Sequence, residues 1–456
     1  MTLTDVLLDF AMVSFLLIIS AFLRRKVKIF QHFYIPAALI AGSLGILLGP
    51  QVLGKVSPIY LKYSESIGQW AGVLTAIVFS ASFLGVKLEK VSGAALRTYF
   101  AAGTIHQLQV VAGVAITFIL GFLFTDLKLG FGLLPVLGFY GGHSMSIAGG
   151  TIYEDAGYME GGAAVGATFG TIGMLVGVIM GMVIINYAAQ RGITKVKMKR
   201  EELPKSMLTG YIEPNDRKAI ANGVTASSTL DPFASQLMLV GCIILFGHIL
   251  RTVLISLNPF WKNLPLFACS LIMSAVFTII TRNNQKVNDM IDRLTITRIS
   301  GAALDYMITA AIGTTSLKVF VDYGVPLIIV SIFVGIVTFI GCFVIGKYIL
   351  PKDDYFETAI GLFGQTCGVL ATGLMLLKVV DPDYETNAAT NITSSSTLGY
   401  TFQLQYTLLF VPLIMTKPMF VFGWSMLLLL ILLGGGLIFA KKSNKNGDSQ
   451  SLGKSI

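Results

Sequence analysis

A succession of apolar stretches, most of them about 20 residues long, limits this chain more than anything else. That is the length a helix needs to cross a hydrocarbon core of about 30 Å. Crossings are expected over 3–23, 35–48, 68–84, 99–124, 161–187, 237–257, 264–280, 299–317, 325–350, 389–415 and 420–440. Charged residues fill 12% of the 456 positions, where a soluble domain carries about 25%. Hydrophobic residues make up 54% and mean hydropathy is +0.76, which leaves too little polar surface to clothe a water-soluble globule. The pattern is that of an all-α polytopic membrane protein. It excludes a disordered chain, a disulfide scaffold, a coiled coil and a soluble enzyme.

The net charge of +9 does not point to nucleic acid, because the cations sit in short connections between apolar runs. Cys242, Cys269, Cys342 and Cys367 fall in apolar segments without metal-ligand spacing and read as reduced, buried small hydrophobes. The first apolar run does not read as a secretory signal: Asp5 and Asp9 precede its core and the cations follow it.

Two further apolar segments, 131–152 and 358–377, are interrupted by glycines and polar residues. Read as hairpins that return to the side they entered from, with the N-terminus outside, they place 26 Lys and Arg residues inside and six outside. The inside clusters centre on Arg25, Lys90, Lys199, Arg293, Lys352 and Lys442. The asymmetry follows the positive-inside rule. A single crossing at either segment would put later clusters on the wrong side. The expected location is the cell (inner) membrane, with the C-terminus in the cytoplasm.

The sequence also reads as two similar halves. Residues 1–187 hold the first five crossings and the hairpin 131–152, and residues 235–415 hold the second five and the hairpin 358–377. A polar cytoplasmic linker, 188–234, joins them, and 416–456 add an extra transmembrane helix and a cytoplasmic tail. Five is odd, so the second half enters inverted, giving two inverted repeats, the plan of secondary transporters. Gly138-Phe139-Tyr140-Gly141-Gly142-His143 lines up with Gly361-Leu362-Phe363-Gly364-Gln365-Thr366, and in the same register Ala148 meets Ala371 and Gly150 meets Gly373.

The broken segments carry the chemistry. Non-helical backbone costs several kcal/mol per unsatisfied group in hydrocarbon, so it persists there only inside protein or beside a wet cavity. Tyr140-Gly141-Gly142-His143-Ser144-Met145-Ser146 supplies permissive glycines and hydroxyls able to coordinate a cation, and Gly364-Gln365-Thr366-Cys367-Gly368 does so from the opposite face. Half-helix N-termini attract a carboxylate and freed carbonyls suit Na⁺. The next span carries Gly162, Gly166 and Gly170, then Gly173, Gly177 and Gly181, a spacing for close backbone approach. Its counterpart opens on Asn387, Asn391, Thr393, Ser394, Ser395, Ser396 and Thr397, too polar to face lipid. Asp305 stands in an apolar span, either as a site for a coupling cation or proton or as the partner of a structural cation. His106 with Gln107 and Gln109, and Tyr400 with Gln403 and Gln405, are weaker candidates.

Enzyme signatures do not hold. Gly142-His143-Ser144-Met145-Ser146 lacks the last glycine of a nucleophile elbow. In the stretch from Gly341 to Lys347, Tyr348 replaces the Ser or Thr of a phosphate loop. Energy must then come from an ion gradient or from the substrate's own gradient.

Gly141-Gly142-His143 in a re-entrant segment, Ala167-Thr168-Phe169-Gly170 in the next helix, and the glycine-rich second segment ending in Ala371-Thr372 resemble the sodium/glutamate symporter family. The likeness covers most of the chain and stops before the final helix. It implies Na⁺-coupled uptake of an acidic amino acid by a homodimer, in which a mobile domain holding both hairpins carries cargo past a fixed scaffold. The chain departs from the family pattern at Ser144 and Ser146, at Gln365-Thr366 and at Gly373. On this reading Gly141, Gly142, His143, Ser144, Ser146, Thr168, Asp305, Gly364, Gln365, Thr366, Cys367, Gly368, Thr372 and Asn391 contact substrate or ion. Thr366, Thr372 and Asn391 are the candidate Na⁺ ligands, and no cofactor is expected beyond the coupling ion. The partners are a small carboxylate, with glutamate first, Na⁺ and membrane lipid. A uniporter or channel for a small organic anion, and a symporter for a different carboxylate, are the alternatives.

Overall fold

The computed structural model describes residues 3–32, 35–64, 67–86, 92–193, 211–217, 219, 221–258, 265–314, 317–381 and 385–452. Lys87, Lys90, Lys195, Lys197, Lys199, Arg200, Lys205, Lys218, Lys262 and Lys454, all counted in the charge asymmetry, lie outside the described residues. Among the described residues every regular element is helical. The principal helices of the first half are α1 (Leu3–Lys26), α2 (Ala37–Leu48), α3 (Trp70–Ser80), α4 (Gly93–Leu120), α5 (Leu134–Phe139), α6 (Gly142–Asp155) and α7 (Gly162–Gln190). They are followed by α8 (Pro232–Leu257), α9 (Leu266–Thr281), α10 (Arg293–Gly313), α11 (Leu317–Ile340), α12 (Tyr355–Val380), α13 (Ala388–Gln405) and α14 (Pro418–Leu452).

Eight helices among the described residues are long and apolar enough to cross a membrane. They are α1, α2 with the turn after it, α4, α7, α8, α11 with the short helix after it, α12 and α14. The chain is an integral membrane protein.

Four expected crossings fall short of that standard for physical reasons. α3 has 11 residues and α9 has 16, which rise only about 16 and 24 Å. α10 opens on Arg293, Thr295, Thr297 and Arg298, and α13 carries Asn391, Thr393, Ser394, Ser395 and Ser396. α12, expected as a hairpin, has 26 residues in all, but its backbone leaves helical geometry at Gly368 and Val369 and Gly364 meets Gly373 across that break, so its length is that of two arms and not of one straight crossing.

The helices gather into two compact units. The first holds α1–α3 and α8–α10, and the second holds α4–α7 and α11–α14, so each draws on both halves of the sequence. In the first unit α10 packs on α2 and α3. Gly42 and Gly45 let α2 approach Ile312 and Gly313 closely. Ala81, Leu84, Val240, Ile243 and Ile296 form a buried core cluster. Asp292 caps α10 by accepting from Thr295 N at 3.0 Å, and it also accepts from Asn222 N at 2.9 Å, which pins the end of the linker. Arg293 Nη1 donates to Ala81 O (2.8 Å) and Leu84 O (2.9 Å), closing the chain end after α3.

In the second unit α4 packs on α13 and α14, and α7 packs on α6 and α12. Ser92 caps α4 by accepting from Ala95 N at 3.0 Å. Arg97 is buried, and its guanidinium donates to Ile349 O (2.7 Å) and Leu350 O (2.6 Å), satisfying carbonyls that a helix end leaves open. Leu7, Phe15 and Ile18 on α1, and Leu430, Ile431 and Ile438 on α14, are exposed, as side chains facing lipid are.

Candidate functional site

Two chain breaks in the second unit face each other. The first lies between α5 and α6 at Tyr140-Gly141, and Gly142 takes φ +68°, a conformation that suits glycine. α6 then folds back on α5, with Gly149 against Leu137. The second break lies inside α12, where Gly368 has φ −155°, ψ 39° and Val369 has φ 64°, ψ 171°. The two arms of α12 lie against each other through Gly364 and Gly373. A β-branched residue at positive φ is a strained outlier, and Val369 is the only non-glycine with positive φ among the described residues. The breaks touch: a Cβ built on Gly142 would stand 2.5 Å from Val369 Cγ1.

α7 holds both. Gly162, Gly166 and Gly170 press on Gly150, Ser146 and His143 of α6, and Gly173, Gly177 and Gly181 press on Cys367, Thr372 and Leu376 of α12. The ladders are contact surfaces, three glycines for each break, and a side chain at Gly166 or Gly162 would collide with backbone.

Most of the sequence-derived site residues gather here. His143 Nε2 lies 2.9 Å from Thr171 Oγ1, whose proton goes to Ala167 O, so His143 donates to Thr171 and is tied to α7. Ser146 donates to Gly142 O (2.9 Å), Thr168 to Ala164 O (2.8 Å), Thr366 to Leu362 O (2.8 Å) and Thr372 to Gly368 O. Each hydroxyl proton is taken up within its own helix, which leaves oxygen lone pairs for a cation, although at Thr366 Cys342 Sγ also lies 3.8 Å from the hydroxyl oxygen. The Thr366 carbonyl instead accepts from Gln109 Nε2 at 2.8 Å. Ser144 is half-buried on α6, while Gly364, Cys367 and Gly368 are buried in α12. Asn391 stands on α13 with its Oδ1 3.4 Å from Ser92 Oγ. Asp305 belongs to the first unit and is exposed on α10.

The structure also brings together at the first break Tyr140 of the broken segment, Gln365 of the sequence-derived set and Gln403, a weaker candidate in the sequence. Gly141 presses on Gln403 Oε1, and the Tyr140 hydroxyl presses on Gly399. Tyr140 Oη and the side-chain amides of Gln365 and Gln403 are buried, and apart from the interaction of Tyr140 with Gln365 they have no hydrogen-bond partner among the described residues. The sequence names each of these residues as a candidate but gives no signal that the three meet.

The family profile of the sodium/glutamate symporter matches residues 3–386, a stretch that includes both breaks and α7. The chain belongs to the sodium/glutamate symporter family. As a member of the sodium/glutamate symporter family it is a transporter. The match ends ahead of α13, one helix earlier than the resemblance suggests, so Asn391 and Gln403 lie past it. No curated protein matches the chain.

Proposed function

We propose that the protein is a Na⁺-coupled symporter of a small carboxylate, with glutamate the first substrate to test, working by an elevator-type motion. The observation that carries this reading is the meeting of the two breaks at Gly142 and Val369. There the N-terminus of α6 and the resumed arm of α12 direct positive dipole ends toward one place, where a carboxylate is stabilised. Lone pairs of Ser146, Thr168, Thr366 and Thr372 supply oxygen ligands for Na⁺ nearby. Asn391 and the remaining residues of the sequence-derived set, Gly141, His143, Ser144, Gly364, Gln365, Cys367 and Gly368, complete the site. Asp305 is left to pair with a cation of the first unit.

The composition of the two units supports the inverted repeat. The first unit takes the first three helices of each half, and the second takes the fourth helix, the broken segment and the fifth helix of each half, with α14 added. On this reading the broken segments are re-entrant hairpins from opposite faces, the second unit carries the cargo, and the first is the scaffold of a homodimer. The N-terminus is outside and the C-terminus in the cytoplasm of the cell (inner) membrane.

Each charge moved across 100 mV is worth about 2.3 kcal/mol, so co-transported Na⁺ drives an anion inward. Uptake of labelled glutamate into proteoliposomes with and without an inward Na⁺ gradient tests the reading. Accumulation that needs the gradient supports it. Equilibration that ignores the gradient replaces it with a uniporter or channel.

A further inference from the structure

The buried polar atoms around the first break define how the cargo is recognised, an inference that rests on the symport reading above. Tyr140 is the hub. Its hydroxyl lies 2.7 Å from where a Cβ of Gly399 would be, one helical turn before Gln403 on α13. Gln403 Oε1 lies 2.7 Å from where a Cβ of Gly141 would be. Tyr140 also interacts through a side-chain hydrogen bond with Gln365 of α12. His106 of α4 stands beside it, with ring centroids 5.2 Å apart, and Phe402 lies 5.7 Å from His106.

Exposure is 0% for His106, 1% for Gln365, 2% for Gln403 and 6% for Tyr140. Even so, apart from the interaction of Tyr140 with Gln365, neither these two side chains nor His106 Nε2 nor either amide atom of Gln403 finds a hydrogen-bond partner among the described residues. Buried polar atoms of folded proteins are nearly always paired. A group of them on residues from three helices and the first break, gathered around one tyrosine, points to a ligand that supplies the missing partners.

We propose that Gln365, Gln403 and Tyr140 bind the amino-acid end of the cargo. The two amide Nε2 groups and the Tyr140 hydroxyl donate, which suits a carboxylate. The two amide oxygens only accept, and they need N–H donors. The three side chains are formally neutral and present donors and acceptors together, so they complement a zwitterion. A dicarboxylate without an amino group would leave both Oε1 atoms unpaired, and sites built on hydrogen bonds reject such analogues strongly.

The test uses the full-length protein in proteoliposomes with a Na⁺ gradient, labelled glutamate as substrate and glutarate, the same diacid without the amino group, as competitor. Glutarate is expected to compete at least about 100-fold more weakly than glutamate. Gln365→Met and Gln403→Met should each raise the glutamate KM about tenfold, the loss of roughly one hydrogen bond, and narrow the gap to glutarate while leaving the Na⁺ dependence of uptake unchanged. Tyr140→Phe carries the same test where a glutamine variant does not insert. Glutarate competing as well as glutamate overturns the zwitterion assignment. An unchanged KM and unchanged selectivity in the variants mean that the amides hold water only, and also overturn it. Uptake that ignores Na⁺ in the unaltered protein overturns the symport reading instead, and glutamate binding measured in detergent by calorimetry then still reads the variants.

Discussion

Gln109 of α4 joins two helices of the other half of the sequence: its Nε2 donates to Thr338 Oγ1 on α11 and to the main-chain oxygen of Thr366 on α12, both at 2.8 Å. Thr366 lies two residues before the break, where the helix no longer supplies regular partners. Gln109→Leu is expected to free that carbonyl and loosen the break. Na⁺ affinity should fall about tenfold, for about 1.4 kcal/mol of lost positioning, with expression unchanged. The Na⁺ concentration giving half-maximal uptake measures this, and a value equal to the unaltered protein's would remove Gln109 from the site.

Gly142 and Val369 set a second expectation. Gly142→Val puts a branched side chain at φ +68° and against Val369, a backbone strain of about 1–3 kcal/mol before the collision is counted. Uptake should drop more than about tenfold while the protein is still found in the membrane fraction. Val369→Gly works in the opposite direction: it relaxes the residue at φ 64° and should raise the unfolding midpoint by about 1 kcal/mol of stability.

Arg97 shows why a cation in a connection need not face solvent. Its two donors hold the carbonyls of Ile349 and Leu350. Arg97→Ala leaves both without that partner and should cost about 1.5–3 kcal/mol. Arg97→Lys should recover less than half of this, because an ammonium cannot span two acceptors as the planar fork does. Thermal unfolding in detergent measures both.

Asp292 gives a pH dependence with a fixed sign. Burial by itself raises its pKa, but hydrogen bonds from Asn222 and Thr295 outweigh burial and hold it at about 2. A depressed folded value means stability that is complete above the unfolded carboxyl's range near 3.9 and lost as pH falls toward 2. Comparing the protein with Asp292→Asn from pH 6 to pH 2, the difference in unfolding midpoint should be largest at pH 6 and shrink on acidification. A constant difference would remove Asp292 as the cause.

Much of this architecture could be read from the residues. Runs of about 20 apolar positions mark most long helices, and both breaks fall where Gly141-Gly142 and Gly368 permit them. Short or polar crossings were harder. α3 and α13 lie in compact units whose other helices cover them, so they need neither full length nor an apolar surface, and hydropathy has no access to that cover. The residues around Tyr140 were harder still. Gln365 and Gln403 lie 38 positions apart in sequence, and only the packing of α12 and α13 around the first break brings them to the same tyrosine. Conversely, Asp305 stood out in sequence because a lone acid in an apolar run is conspicuous, yet its helix belongs to the other unit.

The two glycine trios of α7 have a mechanical consequence. One rod is meshed with both turns at once, Gly162, Gly166 and Gly170 with one and Gly173, Gly177 and Gly181 with the other. Sliding or twisting that rod by a single residue step would unseat six contacts together. α7 is thus a shared axle: a shift of this one helix disturbs both turns at once, which on the symport reading would couple the ion's site to the cargo's.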